Sequence, residues 1–426
     1  MTPPSPDGFG PSTGSGPSRA SSRDGATGSP SASLSLPLEG LLVVAVEQAV
    51  AAPFASRQLA DLGARVIKIE RPGSGDFARG YDRTVKGLAS HFVWINRTKE
   101  SLTLDLKRPE AADVLRRLLS RADVLIHNLA PGAMGRLGFA SAALHEQYPR
   151  LVVCAISGYG TDGPYRDKKA YDLLVQSEAG LVSITGTPDV PSKVGVSIAD
   201  IAAGMYAFSG ILAALLRRER TGAGAVLDIS MFDALAEWMG YPAYYTGYSG
   251  AVLPRSGAAH AAIAPYGPYT AGDGKVVYLG LQNEREWARF CADVLDQPAL
   301  ASDPRFGANA DRVAHREELD ALITAAFEKH SAEDVLARLD AAQIANARMN
   351  TVQEFLDHPQ LAARERWRTV ESPAGPIRAL LPPFGLDDIE PQMGPIPDVG
   401  EHTDAILGEL GYDAATIEQF RSSGVI

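Results

Sequence analysis

Asp200 is a carboxylate placed between two uncharged stretches, residues 194 to 199 on one side and the small-residue run Ala202-Ala203-Gly204 on the other. An acid in that position either caps the helix that follows, accepting its free backbone N–H groups, or acts as a reagent. The two roles are compatible, because a helix N-terminus also stabilises a carboxylate kept ionised for nucleophilic attack. Cations form the second group with chemical potential. Arg71 opens the loop Arg71-Pro-Gly-Ser-Gly-Asp76 directly behind an apolar run, where it either meets an anion or is simply solvated. Arg97, Lys99 and Lys107 gather in an otherwise acidic chain, which reads as a solvated face or as a site for a polyanionic cofactor. His260 ends the tip Ser256-Gly-Ala-Ala-His260 of a Gly-, Ala- and Tyr-rich stretch. Alone it reads as a hydrogen-bonded loop residue; as a general base it would need a partner.

The elements that must position these groups follow from hydrophobic patterning. Residues 1 to 35 are Pro-, Ser- and Gly-rich with almost no large apolar side chain, and a disordered tail is expected. The tail has no apolar core for a signal peptide, and Asp7 and Asp24 fit a mitochondrial presequence poorly. Apolar runs at 41 to 46 and 66 to 70, with a helical pattern at 53 to 62 stopped by Gly63, predict a βαβ unit. The polar turn from Asn96 leads into a strand reaching Lys107, and Pro109 opens a helix over 110 to 120. Runs at 124 to 128 and 151 to 157 repeat the strand pattern, each ending in a Gly- or Pro-bearing turn. Four such strand-to-loop transitions place their loops on one edge of a doubly wound α/β sheet. A buried helix is expected over 201 to 218, then a turn into a strand carrying Asp228, and a mobile loop from about 247 to 268. A hairpin over 269 to 280, turning at Asp273-Gly274, opens a smaller α+β region with further helices near 287 to 295, 315 to 330 and 331 to 339. The expected division is a tail at 1–35, a large domain at 36–225, a small domain at 226–335 and a C-terminal return at 336–426.

Composition narrows the function classes. A net charge of −11 argues against nucleic acid as the main partner, which needs a basic face. The two cysteines, Cys154 and Cys291, form no CxxC, and the eight histidines show no HExxH-type spacing, so no metal site is expected. The absence of GxGxxG argues against a nucleotide redox cofactor. No apolar stretch reaches the roughly 20 uncharged residues of a membrane span, so a soluble, cytoplasmic enzyme is expected.

Seven separated motifs, in order, resemble the family III CoA-transferases. They are Leu62-Gly-Ala-Arg-Val-Ile-Lys-Ile-Glu-Arg71, Asn96-Arg-Thr-Lys-Glu-Ser, Asn128-Leu-Ala-Pro-Gly, Ser157-Gly-Tyr-Gly, Tyr171-Asp172, the Asp200 segment and Gly400-Glu-His-Thr-Asp-Ala-Ile-Leu. The resemblance covers residues 36 to 426. It implies that Asp200 is the nucleophile, forming a mixed anhydride with the acyl donor and then an aspartyl-CoA thioester. It also implies that Arg71, Arg136 and the strand residues Leu104, Asp105, Leu106 and Lys107 hold the adenine and phosphates of coenzyme A, the substrate carrier. Asn128, Leu129, Ala130, Lys168, Lys169, Ala170, Tyr171 and Asp172 line the same site, with Lys169 and Tyr171 near the thioester end. Gly257, Ala258 and His260 fall near the family's glycine-rich loop over the reacting centre, and here the consecutive glycines of formyl-CoA transferase are missing. The segment looks like members acting on short dicarboxylic acids such as succinate, itaconate, mesaconate or citramalate, with Arg255 the nearest cation for a second carboxylate. The implied fold is a large Rossmann-like domain built from both chain ends plus a smaller α+β domain, in an interlocked homodimer. Acyl-CoA racemases of the same superfamily are the alternative. They pair a histidine with the aspartate for proton transfer, and here Tyr171, whose phenol ordinarily titrates near 10, stands in the histidine's place.

Overall fold

Strands made of unbroken Val, Ile and Leu runs need cover on both faces. The large sheet has it. In the computed structural model, which describes residues 36–386 and 389–426, β1 (Leu42–Val46), β2 (Arg65–Glu70), β3 (Lys99–Thr103), β4 (Val124–His127), β5 (Val152–Ser157) and β6 (Ala225–Ser230) form one parallel sheet. The strand order is β3-β2-β1-β4-β5-β6. The expected disordered tail, residues 1–35, lies outside the described residues. Along β1, Val43 and Ala45 join a core with helix Ala51–Asp61 and helix Ile198–Thr221. Val44 and Val46 join the opposite core with helix Pro109–Leu119.

The same second core takes Ile406, Leu407, Ile417 and Phe420 from the C-terminal helices Thr403–Glu409 and Ala414–Ser422. The chain's end is tied to the sheet edge: Ser101 N–H donates to His402 Nδ1 at 3.2 Å, and Thr103 N–H to Thr403 Oγ1 at 3.1 Å. The first and the last described segments therefore both build the large layer. A second, antiparallel sheet of β7 (Tyr266–Thr270), β8 (Val276–Gly280) and β9 (Ala345–Arg348) covers its own core of Trp287, Phe290, Leu319 and Phe327. A two-stranded hairpin, β10 (Trp367–Val370) and β11 (Ile377–Leu380), packs Val370 against Phe92 and Ile396.

β6 pairs with β5 in the large sheet, and β9 pairs with β8 in the small one. Local patterning marks a strand, whereas its sheet is decided by the edge it pairs with. Helix Gly240–Ser249 also runs into the start of the expected mobile loop, its Tyr- and Gly-rich composition having hidden it.

Helix Ile198–Thr221 is long and apolar enough to cross a membrane by length and composition alone. Its small residues explain its actual place. Ala199, Ala202, Ala203, Gly204 and Ala207 are buried against the core that holds helix Ala51–Asp61. At Gly204 a Cβ would stand 2.7 Å from the Ala51 carbonyl oxygen and 3.0 Å from the Phe54 ring. Gly204→Ala is therefore expected to destabilise the protein by about 1–3 kcal/mol, despite alanine's better helix propensity, because the obstacle is backbone. A urea midpoint equal to or above wild type would contradict this close approach.

Candidate active site

In open α/β sheets the loops part where strand order reverses, leaving a crevice at the carboxyl ends. Here the reversal lies between β1 and β4. A groove of about 820 Å³ opens there, lined by the chain beyond the first four strands: Gln48 after β1, Arg71 and Asp76 after β2, Leu104 to Lys107 after β3, and Asn128 to Ala130 after β4. Arg136 completes the lining from helix Ala133–Arg136. The structure thus brings together the expected set Arg71, Leu104, Asp105, Leu106, Lys107, Asn128, Leu129, Ala130 and Arg136. Leu104 to Lys107 are not strand residues, because β3 ends at Thr103 and the chain turns into the groove. Arg71, Lys107 and Arg136 are exposed. Three solvated cations around one cleft suit a polyanion such as a phosphorylated carrier.

Arg97 and Lys99, grouped with Lys107 in the sequence, lie elsewhere. Both are buried, at 4% and 2% exposure. Arg97 donates to the two oxygens of Asp61 at 2.9 and 2.8 Å. Lys99 donates to Glu47 Oε1 at 2.7 Å, the Pro53 carbonyl at 3.1 Å and Asn96 Oδ1 at 3.0 Å. They form neither a solvated face nor a phosphate site; Lys99 supports the groove lining through Glu47, whereas Arg97 is paired with Asp61 in the core.

That support is a buried charge network. Lys68 Nζ sits 3.4 Å from Glu47 Oε1 and 2.9 Å from Asp76 Oδ2, and the side chains of Glu47, Lys68, Asp76 and Lys99 are all 0% exposed. Buried charges persist only when paired and hydrogen-bonded, and here Ser56 Oγ also donates to Glu47 at 2.6 Å. Burial alone would raise the Glu47 carboxyl; the Lys99 and Lys68 ammoniums overcome it and hold it below the usual range. The network lines the groove through Glu47 and Asp76, and Asp76 Oδ1 accepts the N–H of Ala49, a non-glycine residue at φ 60°, at 3.1 Å. Beside it, the Asn128 amide exchanges two hydrogen bonds with the Gln48 backbone, at 2.9 and 2.8 Å. A left-handed alanine braced from both sides is local strain held at a loop of the crevice.

Asp200 is the third residue of its helix and does not cap it. The cap is supplied across the chain: Asp172 Oδ1 accepts the N–H of Ala199 at 2.7 Å and of Asp200 at 3.3 Å. Asp172 is itself held by Gln176 Nε2 at 2.6 Å, and Gln176 accepts the Val194 N–H at 3.0 Å. With the amides satisfied by Asp172, the Asp200 carboxyl is left for other work. Burial first, and then the Asp172 carboxylate, push it up to about 7. Among the described residues no cation offsets that shift.

Lys168 to Asp172 do not line the groove; of these, Asp172 stands beside Asp200, whose N–H it accepts. Tyr171 precedes Asp172 and is 68% exposed. Lys168 pairs with Glu178 and lies over the Tyr165 ring at 4.1 Å. Lys169 is exposed, and Ala170 packs on Gly158 so closely that a Cβ there would clash with it. Tyr81, which the sequence did not single out, follows the turn Phe77–Gly80 that Asp76 caps. Burial first, then the Asp76 and Asp200 carboxylates and the Tyr171 phenol, raise its hydroxyl above the ordinary value. The available signal was Asp76, a helix-capping residue type, whose Oδ1 accepts the Ala78 N–H at 2.9 Å at the start of turn Phe77–Gly80.

The 255–260 loop is fastened to the segment between Asp172 and Asp200. Arg255 donates to the carbonyls of Ser183, Thr187 and Pro188 at 3.2, 2.8 and 2.6 Å, and so anchors the loop. Gly257 N–H donates to the Gly186 carbonyl at 2.8 Å, and Ala258 is exposed. The His260 ring stacks on Tyr266 at 5.3 Å, and its Nδ1 accepts the Ala262 N–H at 3.1 Å. Among the described residues no group of three His, Cys, Asp or Glu side chains is arranged to hold a metal.

Comparison with known proteins gives the context for this geometry. Residues 38–403 match the family described as CoA-transferase family III. The acetyl-CoA:oxalate CoA-transferase of Acetobacter aceti is 36% identical over 384 residues, 89% of this chain and 97% of its own. The succinate–glutarate CoA-transferase of Agrobacterium fabrum is 34% identical over 387 residues, 88% of this chain and 96% of its own. A crystal structure of a CAIB/BAIF family protein from Brucella suis superposes with a TM-score of 0.78 at 34% identity, covering 88% of this chain and all of the other.

Proposed function

The chain belongs to CoA-transferase family III, and we propose that it moves CoA from an acyl-CoA thioester such as succinyl-CoA to a short dicarboxylic acid, using Asp200 as the nucleophile. The Asp200 carboxylate attacks the thioester carbonyl, the C–S bond breaks, and CoA thiolate leaves a mixed anhydride. The thiolate then attacks the aspartyl carbonyl, releasing the donor acid and leaving an aspartyl-CoA thioester. The acceptor carboxylate displaces CoA thiolate from this thioester to form a second anhydride. Attack of the thiolate on the acceptor's acyl carbon then yields the new acyl-CoA and frees Asp200. Each exchange conserves one activated acyl bond, so no external energy source enters.

The observation that carries this reading is the Asp200 carboxyl itself, pushed up to about 7 and with its helix amides held by Asp172. A more basic carboxylate is the better nucleophile, and at neutral pH a substantial fraction is ionised. The groove cations Arg71, Lys107 and Arg136 would hold the phosphates of CoA. Dicarboxylate acceptors are favoured by the relative from Agrobacterium fabrum, whose name pairs succinate with glutarate. We read the active form as a cytoplasmic homodimer, interlocked as the family resemblance implies. Its support is the apolar surface a single chain leaves exposed, including Leu216, Val226, Trp238, Tyr244 and Tyr248.

Hydroxylamine trapping tests the proposal directly. Incubation with succinyl-CoA and hydroxylamine should convert Asp200 to a hydroxamate, a −COOH to −CONHOH change located by peptide mass spectrometry. Trapping at another residue, or none with several acyl-CoA donors, would remove Asp200 from the role.

A further inference from the structure

Asp200 occupies the third position of its helix, where an acid can turn back on the unsatisfied amides of the helix start. A carboxylate used that way is a cap, and its oxygens are not free to attack. Ser197, at the helix boundary, makes no side-chain cap in its place. The amides of Ala199 and Asp200 go to Asp172 Oδ1, so the orientation of Asp172 is what leaves Asp200 available.

Among the described residues that orientation has one side-chain holder. Asp172 Oδ2 accepts from Gln176 Nε2 at 2.6 Å, one turn along helix Asp172–Glu178. Gln176 is 0% exposed, so its amide must find its partners inside the protein. Those partners fix which way it points. Its Oε1 accepts the Val194 N–H at 3.0 Å, a group that can only donate, and its Nε2 is thereby turned to a carboxylate that accepts. A flipped amide would set donor against donor and oxygen against oxygen. Val194 begins the segment that leads into the Asp200 helix, so Gln176 and Asp172 together hold that segment at both its ends.

We propose that Gln176 is a positioning residue for CoA transfer: by holding Asp172 on the amides of Ala199 and Asp200, it keeps the Asp200 carboxylate from capping its own helix and leaves it for attack. The inference rests on Asp200 being the nucleophile. Gln176 acts through Asp172 and not on the substrate.

The test follows hydroxylamine trapping at Asp200 in the full chain, read as a maximal rate and a half-saturating succinyl-CoA concentration. Gln176→Met keeps the length of the side chain and removes both bonds. It should lower the maximal trapping rate about tenfold, the effect of losing one hydrogen bond to a charged group. The half-saturating succinyl-CoA concentration should stay within about twofold, because the groove that takes the carrier is untouched. Gln176→Asn keeps a buried amide but is one methylene too short to join Val194 to Asp172, and it should show the same split. A double-mutant cycle separates positioning from packing. Asp172→Ala should slow trapping by itself, and adding Gln176→Met should leave the rate within about twofold of Asp172→Ala alone. Losses that multiply in the double variant would assign Gln176 to packing and overturn the proposal. So would wild-type trapping in Asp172→Ala, or in whichever of the two Gln176 variants folds. Absence of trapping in the wild type would instead strike the nucleophile assignment, a result distinct from normal trapping in the variants.

Discussion

Asp200→Asn is expected to lower the CoA-transfer rate by about 10⁴-fold or more, while making the protein more stable at alkaline pH. Asparagine keeps the shape and the helix position but cannot form the anhydride, so the loss falls on kcat. The stability gain follows from linkage. Folding raises the Asp200 carboxyl to about 7 from an ordinary value of 3.8. Between those values the folded state binds more protons than the unfolded state, so stability falls as pH rises through the window. The penalty is complete above about pH 7 and absent below about pH 4. In full such a shift is worth about 4 kcal/mol, and partial solvation brings the expected gain in Asp200→Asn to about 2 kcal/mol at pH 8. Thermal denaturation at pH 8 and pH 4.5 should show the difference largely confined to the higher pH. An equal gain at both would mean that the carboxylate is not the strained group. The same titration predicts that wild-type kcat/KM climbs with pH to a plateau above about 7.

Glu47→Ala is expected to be the most damaging single change to the groove's support, destabilising the protein by about 3–5 kcal/mol. The carboxylate faces Lys99 at 2.7 Å and Lys68 at 3.4 Å with no access to water, so removing it leaves two buried ammoniums sharing Asp76 and neutral acceptors. Adding Lys99→Met should recover much of the loss, since deleting both partners removes the uncompensated charge. Urea denaturation of the single and double variants measures both. A single-variant loss under about 1 kcal/mol would show the network to be dispensable. Because Asp76 also holds Ala49 in its left-handed conformation, the damage should appear as a raised KM for acyl-CoA in any Glu47→Ala protein that folds. Acid should mimic the substitution. The Glu47 carboxyl is held below its ordinary value, so its contribution is present above about pH 4.5 and disappears as pH falls through the folded value.

Local chemistry already pointed to Asp200. Its setting beside Ala202, Ala203 and Gly204 marks a helix whose face must touch another backbone, and the structure seats Gly204 on Ala51. Arg71 was legible because an apolar run followed by a Gly- and Pro-rich turn reads as a strand emptying into a loop, and β2 does so at the groove. The doubly wound sheet was legible for the same reason, since periodicity and turn chemistry are properties of short segments.

Partners distant in sequence decided the rest. Lys99 looks like Lys107 on paper, but Glu47, 52 residues away, takes it into the core. Asp200 looks like a cap until Asp172, 28 residues upstream, is found to hold its amide. The chain by itself determined which segments become strands and helices and which acid sits at a helix start, because these depend on neighbours a few residues away. Tertiary structure alone decided which charges are buried, which are free and how basic Asp200 is, because a charge's energy is set by the dielectric and by the partners that folding brings within a few ångströms.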